Sequence, residues 1–203
     1  MTIDWTDQLA EQLDFHWTGQ LRPRLDGLTD AEYHFSPAPE HRTWDVRPRG
    51  TGTAALQAGE GGWTIDFAHP EPEPAPLTTI AWRMAHLVVG VLGARWHSHF
   101  GGPPHDYLTH RYAGDAAGGL AQLDRTYAGW IEGVKGLDAD ALAAPIGEAE
   151  GPWAAYPMAA LVLHIHREVI HHGAEMCLLR DLYTHTRTDH AHTVHAHTAH
   201  DTN

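Results

Sequence analysis

Apolar residues recur at helical spacing in four stretches of this chain, and that patterning leaves few folds open. In residues 3–28 they fall at Trp5, Leu9, Leu13, Trp17, Leu21, Leu25 and Leu28, at intervals of four and finally three. Pro23 lies inside this run and removes a backbone donor, so the last turns are expected to bend or restart there. A second helix is expected from a cap at Thr78 or Thr79 to about residue 97, ended by Gly101, Gly102, Pro103 and Pro104. A third spans 115–134, with Leu120, Leu123, Tyr127, Trp130, Ile131 and Val134 on its apolar side. A fourth spans 154–183, with Pro157 tolerated in its first turn. Four such helices predict an all-α chain, a four-helix bundle running up-down-down-up.

The first two helices are separated by residues 36–76, where seven prolines and five glycines exclude a helix. Within that excursion Trp63–Phe67 alternates like one short strand, and Trp44 and Trp63 need somewhere to pack. A long structured loop or small hairpin is expected there, packed across one end of the bundle and bordering a functional site. Residues 1–183 thus form one domain. Residues 184–203 hold six histidines, six threonines and almost no large apolar side chain, so they read as a disordered tail. Such a tail is either an imidazole-rich metal scavenger or pH-responsive segment, or a drifting extension without a role.

Charge narrows the choice of partner. Thirteen Lys and Arg face 26 Asp and Glu, a formal charge of -13, which repels phosphate backbones and anionic lipid. Neither nucleic acid nor membrane is an expected partner. The longest apolar stretch, residues 87–94, is far short of the ~18 residues a membrane span needs. The acidic first turns lack the uncharged core of a secretory signal, and the single cysteine, Cys177, permits neither an internal disulfide nor a thiolate zinc cluster. A cytoplasmic location is the expectation.

The chemistry gathers on the fourth helix. At about 100° per residue, Glu168 and His172 lie about 40° apart within the stripe of Leu161, Ile165, Met176 and Leu179. His171 falls at the edge of that stripe and His166 points nearly the other way. Alone, a Glu-x-x-x-His pair is common on helix surfaces. The second helix adds His86, central on a face shared with Thr79, Trp82, Val89, Gly90 and Gly93. A lone core histidine is more often bonded to a neighbour than bound to a metal. Two inward faces together are another matter, because an unpaired buried Glu168 would cost several kcal/mol unless a divalent cation were shared with His86 and His172. Such an N, N, O set leaves a coordination position open, as catalytic zinc requires. Gly90 and Gly93 would let a neighbouring helix or a ligand approach closely. Cys177 lies about 140° from His172 and reads as a small packing residue, while no nucleophile elbow, P-loop or dinucleotide fingerprint is present.

Two runs, Ala81-Trp82-Arg83-Met84-Ala85-His86-Leu87 and Arg167-Glu168-Val169-Ile170-His171-His172-Gly173-Ala174-Glu175, together resemble the DinB-like superfamily. The resemblance implies a four-helix bundle with a divalent metal held by one His of the second helix and two ligands four residues apart on the last. The last pair is often His-x-x-x-His. Glu168 and His172 here are similar instead to the mycothiol-dependent maleylpyruvate isomerase branch, which implies the ligand set His86, Glu168 and His172, with zinc or nickel as the metal. It also implies a thiol S-transferase or isomerase in which the metal holds the sulfur of mycothiol, or of bacillithiol or glutathione, for attack on a small electrophile. Two other classes stay open. A metal-dependent hydrolase would use the same residues on water, with Glu175 or His171 as base. A non-catalytic metal-binding or stress-associated module would use outward-facing Ile170 and Cys177 in a homodimer surface.

Overall fold

In a computed structural model that describes residues 3–198, with side-chain surroundings to residue 186, the chain is mainly helical. Helix α1 (Trp5–His16) starts at Asp4, whose carboxylate accepts from the amides of Thr6 and Asp7. It passes through a π-helical turn, Trp17–Leu21, into α2 (Arg22–Arg24). The π turn answers the spacing: a four-residue interval drifts about 40° per step on an α-helix, and one wider turn returns Trp17, Leu21 and Leu25 to the core. Trp5, placed on the inward face by spacing alone, is 63 % exposed, and Thr6 and Ala10 are buried beside Leu13 instead.

Helix α3 (Asp30–Tyr33) is closed by a capping box between Thr29 and Glu32. The excursion that follows corrects the all-α expectation. With the two residues after it, it forms two small sheets, β1 (Thr43–Trp44) parallel to β5 (Leu77–Thr78), and an antiparallel β2 (Val46–Pro48), β4 (Trp63–Phe67) and β3 (Leu56–Ala58) with β4 central. Trp63–Phe67 is the strand its alternation predicted. The others are two or three residues long, too short to carry a period, and β1 and β5 meet across more than thirty residues of sequence.

The second long helix is α4 (Ile80–His86), a π-helical stretch Leu87–Gly93 and α5 (Ala94–Phe100). Thr79 caps it and Gly101, at φ 70°, ends it in the left-handed conformation. Asp115 caps α6 (Ala116–Lys135), which α7 (Ala139–Ala143) follows. Helix α8 (Met158–Thr198) begins four residues later than expected, because residues 148–153 form a separate 3-10 turn and Pro157 lies before the helix. Its backbone continues past Tyr183, the end expected from composition, with the Thr184 and Thr186 hydroxyls bonded to the carbonyls of Arg180 and Leu182. The rest of the expected tail, residues 199–203, lies outside the described residues. Helix α1 packs on α6 and α8, and α4 packs on α6 and α8 as well. Trp130, Leu13, Leu21, Met84, Leu123 and Ile165 fill the space between them. No helix among the described residues is long and apolar enough to cross a membrane.

Candidate metal centre

Helices α4 and α8 run antiparallel, since Arg83 meets Glu175 while His86, one turn further on, meets His172 and Glu168. One ligating atom from each of His86, Glu168 and His172 lies within 4.8 Å of the other two, so the three residues singled out by sequence converge at one point. The His86 and His172 rings meet edge to face, with centroids 5.0 Å apart, and His172 Nε2 is 3.6 Å from Glu168 Oε2.

The neighbours settle which nitrogen faces inward. His172 Nδ1 lies 2.8 Å from Glu175 Oε2 and 3.3 Å from Arg83 Nη1; the shorter contact is one that an N–H makes to a carboxylate, and with the proton there the lone pair is on Nε2, toward Glu168. Arg83 donates to the same carboxylate oxygen and holds Glu175 in place. On the other helix His86 Nδ1 is 2.7 Å from Tyr107 Oη, and a proton on Nδ1 frees Nε2. Burial, reinforced by nearby His172, pushes the His86 imidazole down to about 4, so at neutral pH it is in its neutral, ligating form. Burial likewise raises Tyr107 and keeps its phenol protonated. Two imidazoles and a carboxylate, each imidazole contacted from behind, form a donor set that fits a divalent cation. A second trio, His171, His172 and Glu175, is also close together, but it shares His172 and its carboxylate is held by Arg83.

The chain matches the DinB superfamily over residues 12–176. It therefore belongs to the DinB superfamily. Searches of curated proteins and of solved structures returned no match. The matched span of this DinB-superfamily chain runs from α1 to Met176 and includes all three converging residues as well as Glu175.

Three parts of the centre escaped sequence reasoning. Glu175, considered there only as a base, orients His172. Arg83 carries no signal in the sequence beyond its i−3 position from His86 and its place opposite Glu175. Tyr107 lies on a loop 21 residues from His86 and reaches it only because Gly90, one helical turn on from His86, leaves room: a Cβ at Gly90 would collide with the Tyr107 hydroxyl. The space at Gly90 and Gly93 thus admits Tyr107 and His105 of the following loop, where a helix or a ligand was expected.

Other expectations shift. Glu168 keeps 27 % of its side chain exposed, with His164 Nδ1 3.6 Å and Arg167 Nε 4.0 Å from Oε1, so it is less sealed than its place in the stripe suggested. His166 is buried, not outward, because α8 is covered on more than one side. Cys177 packs partly against the core, leaving exposed Ile170 without the partner assumed for a shared surface. The excursion borders the centre indirectly: Trp44 and Phe67 pack against Trp82, whose indole donates to the Asp66 carbonyl and which stacks on His86. It braces the ligand helix and does not line the cavity that His164 and Arg167 border.

Proposed function

We propose that this chain is a metal-dependent enzyme whose His86, Glu168 and His172 hold a divalent cation, zinc or nickel, within an up-down-down-up bundle of four helices, and that it works as a low-molecular-weight thiol S-transferase or isomerase. The observation that carries the reading is the convergence of three donor atoms within 4.8 Å beside a cavity of about 350 Å³, whose wall residue His164 adjoins Glu168. A bound cation would supply a thiolate at neutral pH from a coordinating thiol. The protein's own groups do the positioning: Glu175 fixes the His172 tautomer, Arg83 fixes Glu175, and Tyr107 orients His86. No protein nucleophile is required, and Cys177, half-buried with its thiol pushed up by burial, is poorly suited to be one.

Mycothiol is the first candidate thiol, by likeness of the Glu168 and His172 pair to one branch of the superfamily; bacillithiol and glutathione follow. The hydrolytic alternative loses its first candidate base, because Glu175 is already engaged by Arg83 and His172. Cobalt substitution separates the classes: the correct thiol should produce a sulfur-to-cobalt charge-transfer band that is absent in His172→Ala. If mycothiol, bacillithiol and glutathione all leave the spectrum unchanged at millimolar concentration, the transferase reading fails.

A further inference from the structure

The cavity beside Glu168 lies between α5, residues 146–156 and the first turns of α8. Its volume, about 350 Å³, suits a small organic molecule. Ile146, Trp153, Tyr156 and Leu161 make its apolar wall, and the two aromatics are 61 % and 54 % exposed, open to a ligand. Its two arginines differ. Arg95 is neutralised within the wall by Glu150, with Nη2 3.0 Å from Oε2, and Glu150 also accepts from His99. Burial raises the Glu150 carboxyl, but the bonds from Arg95 and His99 outweigh it and hold it below the usual carboxylate range, so this pair stays ionised and mutually satisfied.

Arg167 has no such partner at hydrogen-bond distance among the described residues. Its hydrogen-bond contact there is with His164, Nη2 to Nδ1 at 2.8 Å, and its Nε is 4.0 Å from Glu168. Because a guanidinium only donates, His164 must accept at Nδ1 and carry its proton on Nε2. The mouth of the cavity therefore offers positive charge and N–H donors in front of an aromatic wall, on a protein whose net charge of -13 would otherwise repel anions. We propose that this cavity binds an organic carboxylate with an apolar body, its head group on Arg167 and His164 and its aryl or branched alkyl part against Trp153, Tyr156 and Leu161. A guanidinium fork matches a carboxylate in geometry as well as charge. Naming this anion the substrate rests on the metal-centre reading, whereas its binding stands apart from it.

Calorimetric titration of the full chain with 4-phenylbutyrate and with its neutral isostere 4-phenylbutyramide tests the assignment, on zinc-loaded and on chelator-treated protein. The carboxylate should bind about tenfold or more tightly than the amide, the scale of one charge-assisted hydrogen bond. Arg167→Gln should abolish that preference and leave amide binding unchanged, with circular dichroism to verify folding of this exposed-site variant. Trp153→Ala should weaken both ligands. Equal binding of acid and amide, a preference that survives Arg167→Gln, or no binding of either at millimolar concentration would each overturn the proposal. The titration contains no thiol, and the cobalt band reports only sulfur on the metal, so either reading can fail while the other stands.

Discussion

Glu175→Gln is the sharpest probe of the centre, because it removes the charge behind His172 with almost no change of shape. Glu175 touches no cation site directly in the proposed set; it acts through the 2.8 Å contact with His172 Nδ1 and through Arg83. A glutamine there can still accept one hydrogen bond but brings no charge to the imidazole. Loss of such an outer carboxylate generally lowers metal affinity 10–100-fold, about 1.4–2.8 kcal/mol. Because Arg83 already draws on the same carboxylate oxygen and weakens its pull on the ring, the lower half of that range is expected. The substitution has a second cost. Arg83 keeps only 15 % of its side chain exposed and its Nε has no partner among the described residues, so removing the charge that compensates it should destabilise the fold by about 1–3 kcal/mol. Zinc affinity can be read by competition with a chromophoric chelator on protein lacking residues 184–203, whose six histidines would compete for the metal, with His86→Ala setting the floor. Zinc binding unchanged within about twofold, far below the expected loss, would refute the assigned role of Glu175.

Three further outcomes are expected. Gly90→Ala should displace Tyr107 from His86, lowering zinc affinity together with a stability loss of about 1–3 kcal/mol, seen as a thermal midpoint about 2–12 °C lower; an unaltered midpoint would mean that the loop adjusts freely. His34 has Asp45 at 3.0 Å from Nδ1 and the Gly114 carbonyl at 3.1 Å from Nε2, so both nitrogens face acceptors. Burial lowers its pKa, but Asp45 and Gly114 outweigh burial and the net shift is upward, so the stability it contributes should be complete below about pH 6.5 and decline as pH rises through the folded-state value. The urea midpoint of the wild type should therefore exceed that of His34→Gln by a margin that shrinks at alkaline pH, and a margin that grows would contradict the geometry. Cys177, with its thiol raised by burial, should react with Ellman's reagent much more slowly in the folded than in the urea-unfolded chain, and equal rates would place it at the surface.

His86, Glu168 and His172 are legible in the sequence because helical periodicity is local: a spacing of four puts Glu168 and His172 on one face, and the apolar company of His86 marks its face as inward. The same local logic offers Thr78 or Thr79, of which the structure uses Thr79, and Asp115 as helix starts and Trp63–Phe67 as a strand. It fails where the period is not constant. The π-helical stretches at Trp17–Leu21 and Leu87–Gly93 change the rotation per residue, and neither announces itself in composition. Tyr107 behind His86, Arg83 against Glu175, and Arg95 closed by Glu150 join residues 21 to 92 positions apart. Such pairs depend on how α4, α5 and α8 pack and on where the loops between them return, and no local pattern encodes that. Residue order thus suffices for the four long helical stretches and for bringing out His86, Glu168 and His172, and composition for the net acidity of the chain. Packing in three dimensions sets which nitrogen of each histidine faces inward, which arginine is left for a ligand, and where the cavity opens, because each of these follows from groups brought together across the chain by the burial of apolar surface.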